Sequence, residues 1–483
     1  MSDKARNHWL VLTVLALAQF MIVLDVSIVN VALPSIQKAF SMSQTNLQWI
    51  VTAYTLCFGG FLMFGGRAAD LFGRKKLFLA GTLLFGLASL LDGLATSGNM
   101  LIVLRGLQGL AGALMSPAAL SIVLVTYREG HERNVALSVW GAVASGGAAA
   151  GVLLGGIITQ YLGWRWNFFV NVPVSLAVIW ATWMLVDKHE SEETHNDLDL
   201  PGAISITGAL MLLVYGLVKA PSVGWAADST LWCFSGVIAL LAFFIINESR
   251  VKNPLVPLNI FKIRNVTASN LMQLPVTAGM FSTFFFTSLY VQTILGYSPV
   301  KTGLCFLAVP AVIGVVATNI PRLIKRIGFK PILVVAPLIV ASGFYWLGHI
   351  RVNGTYVHDV LPGLVLMGIG MGCIFVSVTI AATNGVPHNK SGLASGLLNT
   401  SQQIGGSIGL AILTGVATAG ATSYMKHLSS APNQLTPLAA QVHGFQHAYY
   451  SAAAFMVGAS LLALILIKQD KNAQFDPAAA VAA

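Results

Sequence analysis

The sequence predicts an all-α integral membrane protein of fourteen spans, and three observations carry that reading. Hydrophobic residues fill 56% of the 483 positions and charged residues only 9%, against roughly a quarter in soluble domains. The apolar residues gather into runs of about 20, the length a helix needs to cross the hydrocarbon core. These runs do not alternate polar with apolar as barrel strands do, so helices must satisfy the backbone in lipid.

In chain order, spans are expected near residues 9–33, 48–66, 77–96, 101–126, 135–160, 166–186, 200–219, 229–247, 268–291, 302–323, 331–350, 359–381, 393–421 and 448–468. The first run exceeds a signal-peptide core and has no A-x-A site before the next run, so it is expected to stay in the mature protein. The net charge of +10 comes from Lys and Arg clustered between runs rather than along one polar face, which argues against a nucleic-acid partner. With both termini cytoplasmic, twenty of the 27 basic residues lie on that side, Arg128, Lys188, Lys390 and Lys471 among them. Six lie opposite, and Arg105 falls within a span. This bias fits the positive-inside rule and an even number of spans, and predicts a multi-pass plasma-membrane protein. Cys57, Cys233, Cys305 and Cys373 each stand alone in an apolar run, without the pairing of a metal site or disulfide framework.

The charged segment Asp187 to Asp199 follows the sixth span and the connector Glu248 to Arg264 follows the eighth. They divide the chain into a six-span bundle at 1–186, a linker with two extra spans at 187–264, and a second six-span bundle with a short cytoplasmic tail at 265–483. A faint repeat supports the division: GGRAADLFGRKK after span two is echoed by NIPRLIKRIGFKP after span ten, with Lys325 standing where Asp70 stands. Repeated halves with a midplane binding site are a common construction of secondary transporters.

Asp25, in the middle of the first span, is the foremost candidate for chemistry. A carboxylate there is costly unless it faces a wet cavity, meets a partner or takes up a proton. It reads as a reversible proton carrier, with a helix-packing hydrogen bond as the plainer alternative. Arg105 opens a strip of polar and small residues on span four, Gln108, Gly109, Gly112 and Ser116, that shares one helix face. A permanently charged arginine can hold Asp25 ionised or replace its proton; near a span end it can instead snorkel to headgroups. Gly66, Asp70, Gly73, Arg74 and Lys75 occupy a very short loop where charges of both signs can clamp helix ends and release on opening. Gly147, Gly151 and Gly155, joined by Gly156, form a small-residue face on span five, fit for a hinge or for tight packing. Asn30, Gln273, Tyr290, Gln292, Asn399, Gln402 and Gln403 are candidate pathway residues, equally suited to interhelical hydrogen bonds. No obvious acid lies deep in spans seven to fourteen, so the proton chemistry is expected in the front half. No phosphate-binding loop, metal-spaced His or Cys cluster or nucleophile elbow is present, so no enzymatic activity, metal or cofactor is expected.

Taken together, these motifs resemble the fourteen-helix drug:proton antiporter branch of the major facilitator superfamily over nearly the whole chain. LDVSIVNVALP around Asp25 is similar to the branch's first-helix signature. Gly66, Asp70, Gly73, Arg74 and Lys75 match the superfamily loop motif, and Arg105, Gln108 and Gly109 match a fourth-helix motif whose arginine is implicated in proton transfer. GWRWNFFVNVP at Gly163 to Pro173, YVQTILGYSP at Tyr290 to Pro299 and NTSQQIGGSIG at Asn399 to Gly409 resemble further blocks. The fifth-helix antiporter motif departs from the pattern, with Val152 where proline is usual, so a proline kink is not expected. The resemblance implies the major facilitator fold and a monomeric exporter of small amphipathic compounds, driven by the proton gradient and alternating access. Its partners are then substrate, protons and lipid. Missing rear-half acids point to neutral, weakly cationic or zwitterionic substrates. A proton symporter or metabolite facilitator is the alternative within transport, and a non-transporting receptor or scaffold a remote one.

Overall fold

A computed structural model describes residues 3–127, 130–186, 199–386, 391–427 and 435–469. Arg128, Lys188, Lys390, Lys471 and the acidic segment up to residue 198 lie outside the described residues. Among the described residues, fourteen helices are long and apolar enough to cross a membrane. They are α1 (His8–Phe40), α2 (Gln44–Phe72), α3 (Arg74–Gly93), α4 (Gly98–Thr126), α5 (Val135–Tyr161), α6 (Trp166–Leu185) and α7 (Leu200–Ala220). The remainder are α8 (Asp228–Arg250), α9 (Arg264–Ile294), α10 (Pro299–Ala317), α11 (Phe329–Leu347), α12 (Tyr356–Thr383), α13 (Gly392–Lys426) and α14 (Thr436–Leu466). The face of the molecule where α1 begins is called the near face, and the one where it ends the far face.

Local chemistry sets several boundaries. Ser43, Ser97, Asp199 and Ser298 each use a side-chain oxygen to accept a free backbone N–H in the first turn of α2, α4, α7 and α10. Gly73 (φ 94°) and Gly328 (φ 80°) stand at equivalent near-face turns, where a left-handed backbone favours glycine. The tenth span is shorter than expected. It stops at Ala317, and a separate short helix, Ile320–Ile327, carries Pro321 in its first turn, a position that needs no N–H.

α1 to α6 pack on one another, chiefly as α2 on α4, α1 on α5, and α3 on α4 and α6. α9 to α14 form a second packed set, led by α11 on α12, α9 on α13 and α11 on α14. α7 lies along both α2 and α13, while α8 packs mainly on α7 and turns Trp232, Ile238, Phe243 and Ile245 outward. The sets meet through α2 on α13, α5 on α10 and α1 on α9. The α5–α10 seam is built on Pro299–Phe306 and thins along Ala308–Ala317, so it is tight toward the far face. There Gly303 is indispensable: a Cβ on it would stand 2.3 Å from the Val152 carbonyl oxygen.

Candidate functional site

Asp25 is fully buried on α1, and its donors come from two other helices, α4 and α6. Arg105 Nη1 on α4 donates to its Oδ2 at 2.6 Å. Gln108 Nε2, one turn later on α4, donates to Oδ1 at 2.9 Å, and Asn171 Nδ2 on α6 to the same oxygen at 2.8 Å. Ser89 Oγ on α3 accepts from Gln108 and Asn171 and donates to the Phe168 carbonyl. Arg105 is itself held at 1% exposure: its Nε donates to the Ile50 carbonyl at 3.2 Å, and its guanidinium lies 4.3 Å from the centre of the Tyr54 ring. It therefore does not snorkel. The sequence reading missed Ser89, Tyr54 and Asn171, although Asn171 lies inside the GWRWNFFVNVP block.

Small residues bring these groups into reach. A Cβ at Gly109 would stand 2.2 Å from the Tyr54 carbonyl oxygen, so glycine alone lets α4 lie directly on α2 and place Arg105 over Tyr54. Gly147, Gly151 and Gly155 face Phe20, Leu24 and Ile28, seating α5 closely on α1. Gly156 points elsewhere, to Pro299 and Val300 of α10. Val152 is buried beside Val31 and Phe306, and α5 continues through it without interruption.

The loop motif occupies the near face, away from this cage. Asp70 and Arg74 form a half-exposed ion pair at 3.4 Å. Lys75 Nζ donates to the Trp183 carbonyl at 3.0 Å, tying the start of α3 to the end of α6. Gly66 has Pro117 of α4 as its neighbour.

The candidate pathway residues separate into two groups. Asn30 and Gln292 belong to the far-face seam: the Asn30 carbonyl accepts from Ser288 at 2.8 Å, and Gln292 Nε2 donates to the Val31 carbonyl at 2.9 Å. Tyr290 is buried in the rear set with its hydroxyl on the Arg351 carbonyl at 2.7 Å, and Gln273 is buried in the first half of α9, well away from it. Asn399, Gln402 and Gln403 are only partly covered on α13, Gln403 lying against Gly59 of α2. Among the described residues of the rear set, Arg351 and Asp359 form an ion pair at 2.8 Å at the far-face end of α12. That bond holds the exposed Arg351 guanidinium above its usual range.

Two packed helix sets, one of them enclosing a buried acid–arginine pair, have the construction of a membrane transporter. The family model of the Major Facilitator Superfamily matches residues 15–410. The puromycin resistance protein pur8 of Streptomyces alboniger is 39% identical over 464 residues, covering 95% of this chain and 90% of that protein. The cephamycin export protein CmcT of Amycolatopsis lactamdurans is 35% identical over 432 residues, with 89% of each chain covered. A bacterial homolog of the human lysosomal transporter Spinster shares the fold, with a TM-score of 0.68 at 15% identity over 97% of this chain and 98% of its own. The chain belongs to the Major Facilitator Superfamily and is a multi-pass membrane transporter.

Proposed function

We propose that the protein exports small amphipathic compounds, antibiotic-like molecules among them, across the plasma membrane in exchange for protons. In this reading both termini are cytoplasmic, the near face is the cytoplasmic one, the protein works as a monomer and the proton gradient is its sole energy source. The 1–186 and 265–483 segments act as the rocking bundles, and the 187–264 segment stands beside them. The relatives named for puromycin resistance and cephamycin export support the substrate class.

The observation that carries the coupling is the fully buried Asp25–Arg105 pair. An ionised acid in hydrocarbon is sustained by its donors, and a proton on Asp25 would remove the charge that binds Arg105, Gln108 and Asn171. Proton binding thus loosens three helices, α1, α4 and α6, at one point, the kind of differential contact that shifts an alternating-access equilibrium. The test is ethidium accumulation by full-length protein in proteoliposomes under an imposed proton gradient. Wild type is expected to move dye against protons and Asp25→Asn to lose that coupling. Equal accumulation by the variant removes Asp25 from the mechanism, and dye moving with protons makes the protein a symporter.

A further inference from the structure

The front set buries a second acid that the coupling scheme above leaves unused. Asp92 lies in the last turn of α3 at 0% exposure, and neither of its carboxyl oxygens has a hydrogen-bond donor. Ser89, one turn earlier on the same helix face, touches Gln108 and Asn171, so this face of α3 looks onto the Asp25 cage. Asp92 continues that face toward the far side and feels the charges of both Arg105 and Asp25. Among the described residues, Arg105 and Asp25 are the charged groups that act on it. α6 carries no ionisable side chain within its span, Tyr54 of α2 is stacked on Arg105, and Arg165 ahead of α6 donates to the Ala95 carbonyl at 3.0 Å.

Two buried carboxyl groups therefore lie in the field of one guanidinium, which contacts Asp25, in a region of low dielectric, where two acids near a single cation do not both stay ionised. Asp25 has three donors on its oxygens and Asp92 has none. We propose that Asp92 is a second proton-binding carboxyl group of this transporter and that Arg105 serves the two acids in turn. In the present arrangement the negative charge rests on Asp25 and the proton on Asp92. When the proton of Asp92 passes to Asp25, Asp25 releases Arg105 and the ionised Asp92 receives the guanidinium. One proton, two carboxyl groups and one cation are present before and after, so the exchange leaves no unpaired charge in hydrocarbon. The exchange rests on the proton-coupled reading of Asp25, whereas proton binding by Asp92 can be measured without any transport.

The test is infrared difference spectroscopy of the full-length protein in detergent, stepped in pH, which reports the carbonyl stretch of protonated carboxyl groups. Wild type is expected to show a band that titrates, is absent from Asp92→Asn and is shifted in frequency in Asp92→Glu. If Asp92→Asn does not fold, the frequency shift in Asp92→Glu decides alone. A spectrum that neither substitution alters, or an Asp92 band that never changes with pH, overturns the proposal. In proteoliposomes, gradient-driven ethidium accumulation by Asp92→Asn is expected to fall about tenfold, inside the roughly 5–150-fold range usual for coupled sites, with recovery in Asp92→Glu. Accumulation equal to wild type overturns the exchange with Asp25. If wild type accumulates no ethidium, the antiport reading fails, and the infrared result still establishes whether Asp92 binds a proton.

Discussion

The two packed helix sets repeat one backbone plan and differ in where they put charge. Gly73 and Gly328 make the same left-handed near-face turn, yet the front turn carries the Asp70–Arg74 pair, whereas the rear one has Lys325 in the acid's place and joins Lys330 N–H to the Gln469 side chain. Deeper in, the front set holds Asp25, Arg105 and Asp92 beyond reach of water, while the rear set is tied by neutral bonds such as Thr287 to Tyr449 at 2.8 Å and Ser401 to Asn270 at 2.7 Å. The turn survives because backbone geometry alone demands glycine there. Among the described residues, charge deep within the spans is kept in the front set because each such charge must be compensated, whereas the rear set's ion pair, Arg351 with Asp359, stays at the far-face end of α12.

Breaking the charged core is expected to have the largest effect. Arg105→Ala leaves Asp25 buried without its cation and should cost about 3–5 kcal/mol of stability, read as a lower melting temperature in detergent. Adding Asp25→Asn to that variant should restore part of the loss; if it restores none, the pair is not what the core depends on. Next comes the far-face seam between the sets. Gly303→Ala forces a methyl group against the Val152 carbonyl and should cost about 1–3 kcal/mol as an overpacking change. It should also open the seam, seen as faster maleimide labelling of a Ser288→Cys probe; unchanged labelling would mean that α10 yields elsewhere.

Two smaller effects sharpen the contrast between the halves. Thr287→Val removes a neutral interhelical bond in the rear set and should cost only about 0.6 kcal/mol, with proton dependence of transport unchanged. A shift in that dependence would place rear-set polar groups in the coupling path. Asp70→Asn removes a half-exposed ion pair worth about 0.2–1 kcal/mol, so its melting temperature should hardly move. If its transport rate nevertheless falls, the loop acts in the conformational change rather than in stability. If both measurements match wild type, the front loop is no more than a topology signal, like its rear echo.

Span number, helical character and the placement of Asp25 inside the bilayer were legible in the sequence, because hydrophobic length and intramembrane charge are one-dimensional quantities. The argument that singled out Asp25 applies equally to Asp92, which stands in the apolar run near 77–96 but close to its end, where a carboxyl group passes for part of a connector. The tenth span was drawn too long because Ile320–Ile327 continues the apolar pattern in sequence while Asn319 and Pro321 break the helix in space.

By itself, then, the sequence determined a fourteen-helix membrane protein with one acid and one arginine where lipid should be. Only the tertiary structure decided that these two residues meet, that Gln108 and Asn171 complete the cage, and that Asp92 is left without a donor. Likewise it placed Asn30 and Gln292, both candidate pathway residues, at the far-face seam. The reason is geometric: periodicity tells which residues share a helix face, but the neighbour of that face is chosen by close approach at residues such as Gly109, Gly151 and Gly303.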